Sequence, residues 1–127
     1  MCANALGDLT LTDNTISNNT SVTSFGGVAV YSGGSVIIKN NTVNRNKTGS
    51  DGGVVRVSSS GKTTIVNNTV NDNYGYGSAI CFSQYSGDVT LSGNTIQNNQ
   101  TSGIYYADPS YCNTSPKSSE YKIFGVN

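Results

Sequence analysis

With 127 residues, seven basic and seven acidic side chains and no histidine, the chain is one domain or a piece of one, without the net charge that attracts nucleic acid or an anionic membrane. Hydrophobic residues make up 35 %, and no apolar run reaches the ~18 residues of a membrane-spanning helix. That composition disfavours a thick globular core but suits a thin one, a single coil wide.

Residues 1–7 read as a short lead-in. The start, MCANALGDLT, has neither the basic region nor the apolar stretch of a secretory leader, so the reading expects a piece of a longer secreted protein. From residue 8 one phrase recurs: LTLTDNTISNN at 9–19, VIIKNNTVNRN at 36–46, TTIVNNTVNDN at 63–73 and VTLSGNTIQNN at 89–99. Its Asn-Thr step falls at 14, 41, 68 and 94, giving spacings of 27, 27 and 26 residues, and a fixed period of this size marks a solenoid.

Inside the phrase, apolar residues alternate as they do in a strand. Leu9, Val36, Thr63 and Val89 align, then Leu11, Ile38, Ile65 and Leu91, then Ile16, Val43, Val70 and Ile96; these columns are expected inward. A third strand follows each glycine-rich stretch, with Val28 and Val30, Val55 and Val57, Ile80 and Phe82, and Ile104 inward. This register turns Arg56 and Cys81 outward, as the cost of burying an unpaired guanidinium requires. Three strands per coil, each pairing with its equivalent in the next coil, give about four cooperative coils of 26–27 residues.

Two asparagine columns explain the turns. Asn14, Asn41, Asn68 and Asn94 form one, and Asn19, Asn46, Asn73 and Asn99 form the other. Asparagine tolerates left-handed backbone, and its amide both donates and accepts, so stacked coils are expected to carry amide ladders through their corners.

The xIxxNTIxxN phrases resemble those of the right-handed parallel β-helix family, the pectin-lyase-like superfold, over residues 8–107. The Gly-Gly-Val steps at 26–28 and 52–54 are similar to repeats of polymorphic outer-membrane proteins and related surface adhesins. There the second motif usually begins with Phe, where this chain has Ile16, Val43, Val70 and Ile96. The resemblance implies an all-β, single-stranded, right-handed solenoid.

One edge tapers. The segment after the second asparagine column is TSVTSFGG at 20–27, KTGSDGGV at 47–54, YGYGSA at 74–79 and QTSG at 100–103. Such loops are where function is grafted onto a β-helix. Phe25, Tyr74, Tyr76 and Tyr105 lie in or beside it, with Arg56 and Asp51 near, and they are the candidate ligand contacts: aromatic faces for sugar rings, with polar neighbours for hydroxyls. After residue 107 the period stops, and 108–127 read as a cap or an irregular final coil. Cys81 and Cys112 form a candidate disulfide pinning that segment, the alternative being two free thiols.

Catalytic chemistry finds little support. Seven acids are present, without the paired carboxylates of inverting glycosidases or a histidine motif; the nearest combination is Asp51 with Arg56 and Asp72. No metal or cofactor motif appears. The sequence therefore points to a non-enzymatic extracellular or cell-surface module for adhesion or glycan recognition, with polysaccharide or cell-surface glycan as partner and end-to-end continuation or oligomerisation open. The alternative is a fragment of a polysaccharide lyase or glycoside hydrolase whose catalytic coils lie elsewhere. A third reading is ice binding through the column Thr15, Thr42, Thr69 and Thr95, although the next outward column (Ser17, Asn44, Asn71, Gln97) is not threonine. Asn-x-Ser/Thr sequons at Asn18, Asn19, Asn40, Asn46, Asn67, Asn99 and Asn113 follow mostly from the repeated phrase.

Overall fold

A computed structural model describes residues 1–22, 26–48, 55–75, 80–84, 88–99 and 104–107, with backbone only for 83–84 and 104–107. Among them are sixteen strands, β1–β16 in chain order, all paired in parallel, and no helix. The five-stranded sheet is β1 (Cys2–Ala5), β5 (Val28–Ser32), β9 (Val55–Ser59), β13 (Ile80–Gln84) and β16 (Ile104–Ala107). One four-stranded sheet holds β2 (Leu9–Thr12), β6 (Val36–Lys39), β10 (Thr63–Val66) and β14 (Val89–Ser92). The other holds β3 (Thr15–Ser17), β7 (Thr42–Asn44), β11 (Thr69–Asn71) and β15 (Thr95–Gln97).

Pairing follows the repeat residue by residue. Leu11 sits opposite Ile38, Ile38 opposite Ile65, and Ile65 opposite Leu91. A period-2 strand slipped by one residue would turn its apolar set outward, so the hydrophobic columns hold this register. The core contains Leu11, Ile16, Ile38, Val43, Ile65, Val70 and Leu91, with Val28, Val30, Val55, Val57, Ile80 and Phe82 from the five-stranded sheet. Thr63 completes an apolar column; it is wholly buried, and its hydroxyl has no hydrogen-bond partner.

Three local features differ from the sequence reading. Each complete coil has four strands rather than three, because β4 (Thr20–Ser21), β8 (Lys47–Thr48) and β12 (Tyr74–Gly75) pair as a fourth sheet. Two-residue strands are too short to show alternation. The lead-in also contains β1, whose Ala3 pairs with Val30 in the five-stranded sheet. Finally, the left-handed residue at each corner precedes the ladder asparagine: Asp13, Asn40, Asn67 and Gly93 in one column, Asn18, Arg45, Asp72 and Asn98 in the other, all with φ between 52° and 62°. The chain reverses there so that the next amide points inward.

Candidate functional site

The ladders are the most regular polar structure in the molecule. The Asn41 backbone N–H and side-chain Nδ2 both donate to Asn68 Oδ1, at 2.8 and 3.0 Å. Asn68 repeats the pattern onto Asn94 Oδ1 at 2.9 and 3.0 Å. Each amide also donates to backbone, Asn41 to the carbonyl of Leu11 at 2.9 Å and Asn68 to that of Ile38 at 2.9 Å. Asn19, Asn46, Asn73 and Asn99 form the second ladder with the same connectivity, Asn46 Nδ2 reaching Asn73 Oδ1 at 3.1 Å and Asn73 Nδ2 reaching Asn99 Oδ1 at 2.8 Å. Asn41, Asn46, Asn68, Asn73 and Asn94 are all buried. The Nδ2 groups of Asn41, Asn46, Asn68 and Asn73 each donate both to the next ladder oxygen and to backbone, so these residues serve to hold coils together.

A smaller serine pair supports the turn leaving the five-stranded sheet. Ser32 Oγ donates to the Gly7 carbonyl at 2.7 Å, and Ser59 Oγ to the Gly34 carbonyl at 2.8 Å. Each hydroxyl in turn accepts the N–H two residues on, from Gly34 and Gly61. The signal was a Ser-x-Gly step repeated 27 residues apart, obscured by the many other serines.

The candidate ligand residues do not all converge. Tyr74 lies on β12, 47 % exposed, opposite Lys47 of β8, whose ammonium stands 5.5 Å from the ring centre. Arg56 lies on β9 of the five-stranded sheet, where it is half-buried. Tyr105 occupies the same register column through its pairing with Cys81. Asp72 forms the exposed left-handed turn between β11 and β12 and accepts a hydrogen bond from Asn71, so it lies in no sheet, whereas Arg56 lies in the five-stranded one. Phe25, Asp51, Tyr76 and Cys112 lie outside the described residues.

The described surface places a concave site elsewhere. On the outer face of the five-stranded sheet, register aligns Asn4, Tyr31 and Ser58. These three, with Leu6 and Gly33, line an open surface depression of about 320 Å³. Tyr31 offers a half-buried ring, Asn4 an amide and Ser58 a hydroxyl, all on paired strands and none ionised. The volume lies near the lower end of the range for small-ligand sites. Tyr31 carries no loop signal in the sequence: it is an outward strand position between core valines and a Gly-Gly turn, away from the tapering edge.

Cys81 is disulfide-bonded, and Cys2 is a free, exposed thiol. Among the described residues no group of three His, Cys, Asp or Glu side chains is placed to hold a metal ion. Among the described residues no helix is long and apolar enough to cross a membrane.

A family model described as a right-handed β-helix region matches residues 1–117, extending past the expected end of the coils at 107. No curated protein and no solved structure matches the chain.

Proposed function

Since the chain belongs to the right-handed β-helix family, we propose that it is a non-enzymatic glycan-recognition module of an extracellular or cell-surface protein, with the Tyr31 cleft as its sugar contact. The observation that carries this reading is the cleft itself: one aromatic ring, one amide and one hydroxyl presented on hydrogen-bonded strands. A pyranose has an apolar C–H face that packs on such a ring and equatorial hydroxyls that exchange hydrogen bonds with neutral groups. Strands fix the geometry before binding, which reduces the ordering cost of a weak contact. The disulfide-bonded Cys81 favours an oxidising compartment. Affinity per module is low, and several modules displayed together supply avidity.

The test is a glycan array probed with the folded chain in multivalent display. Binding to a defined glycan class is expected, with a loss of about tenfold or more for Tyr31→Ala and retention for Tyr31→Phe, in line with the stacking share of such contacts. Absence of binding by verified folded protein removes the glycan reading. Binding that survives Tyr31→Ala but fails on Tyr74→Ala moves the site to the tapering edge.

A further inference from the structure

The rim of the Tyr31 depression carries a leucine that the fold holds out in water. Leu6 is the most exposed large apolar side chain among the described residues. Its turn is nevertheless anchored on both sides. The Ala5 carbonyl accepts the Gly33 N–H at 3.0 Å, and the Leu9 N–H donates to the Ser35 carbonyl at 2.9 Å. Between them the Gly7 carbonyl accepts the Ser32 hydroxyl at 2.7 Å, and the Asp8 carboxylate accepts the Ser35 N–H at 2.8 Å. A Cβ at Gly33 would collide with the Leu6 carbonyl oxygen, so only glycine lets the two turns approach this closely. With residues 5, 7, 8 and 9 all tied to the next coil, Leu6 is a fixed apolar contact.

The polar groups beside it are uncommitted. Ser32 and Ser59 give their hydroxyls to the scaffold. Among the described residues, by contrast, the hydroxyls of Tyr31 and Ser58 and the Asn4 Oδ1 have no hydrogen-bond partner, and Asn4 Nδ2 makes only a long contact to Cys2 Sγ at 3.9 Å. No Asp, Glu, Lys or Arg lines the depression. Asn4 and Leu6 therefore put an amide donor, an amide acceptor and an aliphatic group two residues apart at one edge of an aromatic ring.

We propose that the depression selects 2-acetamido sugars, the N-acetylhexosamines, over their unacetylated counterparts. The inference rests on the glycan reading above and names the sugar class. An acetamido group carries an N–H donor, a carbonyl acceptor and a methyl side by side. The Asn4 amide exchanges hydrogen bonds with the first two, and Leu6 covers the methyl. Tyr31 takes the apolar face of the sugar ring, and Ser58 takes a ring hydroxyl. A hydroxyl in place of the acetamido group still pairs with Asn4 but leaves Leu6 in water. A uronic acid would lose hydration from its carboxylate with no cation in the lining to offset that cost. A 6-deoxy sugar supplies a methyl without the adjoining amide. Leu6 and Asn4 thus set specificity, while Tyr31 sets affinity for any pyranose.

The test uses the full chain in multivalent display against polymer-linked sugars in matched pairs: N-acetylglucosamine with glucose, and N-acetylgalactosamine with galactose. At least one acetylated member should bind about tenfold tighter than its partner, the worth of one buried methyl and one amide hydrogen bond. Leu6→Ala, a change at a fully exposed side chain, should cut that preference to about threefold and leave the unacetylated partner within about twofold. Asn4→Ala should reduce the preference further, and Tyr31→Ala should weaken both members of the pair. Equal binding within each pair, still lost on Tyr31→Ala, overturns the acetamido selection and leaves the glycan reading standing. So does tighter binding of polymer-linked galacturonate or fucose. A Leu6→Ala variant that weakens both members equally also overturns it, because the leucine then contacts the ring and not the acetyl group. Failure of the glycan reading looks different: verified folded protein binds none of these sugars, and both proposals fall together.

Discussion

The two asparagine corners and the outer face of the five-stranded sheet pass through the same coils yet obey opposite rules. At the corners every coil writes the same residue: Asn14, Asn41, Asn68, Asn94, and again Asn19, Asn46, Asn73, Asn99. On the outer face, register aligns Cys2, Ala29, Arg56, Cys81 and Tyr105, five positions with four different residue types. The environment of a ladder asparagine is made by the coils above and below it, which are copies of its own, so one solution serves all levels. Outer-face positions meet whatever lies off the solenoid, and that changes from level to level. Repetition therefore marks residues answerable to the stack, and its loss on an ordered strand marks residues answerable to something else.

Substitution of adjacent asparagines breaks the comparison most sharply. Asn68 is buried with a full set of ladder bonds, while Asn67 immediately before it is an exposed left-handed turn residue. Asn68→Ala removes several hydrogen bonds and strands backbone donors and acceptors of neighbouring coils, for a loss of about 3–5 kcal/mol in urea denaturation. Asn67→Gly keeps the permitted backbone and should stay within about 0.5 kcal/mol of the parent. Equal effects would mean that the ladder contributes no more than a turn. The outer faces supply a second pair. Ala29→Glu forces a carboxylate into a covered site and should cost about 3 kcal/mol or more, whereas Ile37→Glu, on the open face of the adjacent sheet, should cost less than about 0.5 kcal/mol. A harmless Ala29→Glu would show that the cover yields without loss.

The fold was legible because a solenoid writes its contacts as a period. Residue i meets residue i+27, so one spacing carried the register of three sheets, the ladder partners and the inward columns. The site was much less legible. Tyr31 was hidden because its value comes from Asn4 and Ser58, residues 27 positions away on either side that share neither chemistry nor motif with it. Tyr74, prominent beside a glycine-rich loop, is set against Lys47 one coil earlier. The fourth sheet escaped notice for a different reason: pairs such as Thr20–Ser21 and Lys47–Thr48 have no alternation to read. Cys81 faced outward as its register required, but what covers it is not encoded in the repeat.

Two substitutions that should raise stability separate the demands of the stack from accidents within it. Thr63 fills a column otherwise occupied by Leu9, Val36 and Val89, and its buried hydroxyl has no partner. Thr63→Val keeps the shape and removes an unpaired group, for an expected gain of about 1–2 kcal/mol. A loss instead would assign that hydroxyl a role in the core.

The smaller gain belongs to Arg45, which holds φ of 52° in the column shared with Asn18, Asp72 and Asn98. Left-handed backbone crowds a Cβ against the following carbonyl, and short side chains that bond locally relieve part of that cost while a long arginine does not. Arg45→Asn places the column's commonest residue at this level and should add about 0.5–1 kcal/mol, read as a higher urea midpoint with unchanged slope. Arg45→Ala is the control: it removes the charge but keeps the unfavourable backbone, so it should give little gain. If both variants lose stability equally, the arginine side chain itself supports the corner, and this level of the stack is held by more than its turn geometry.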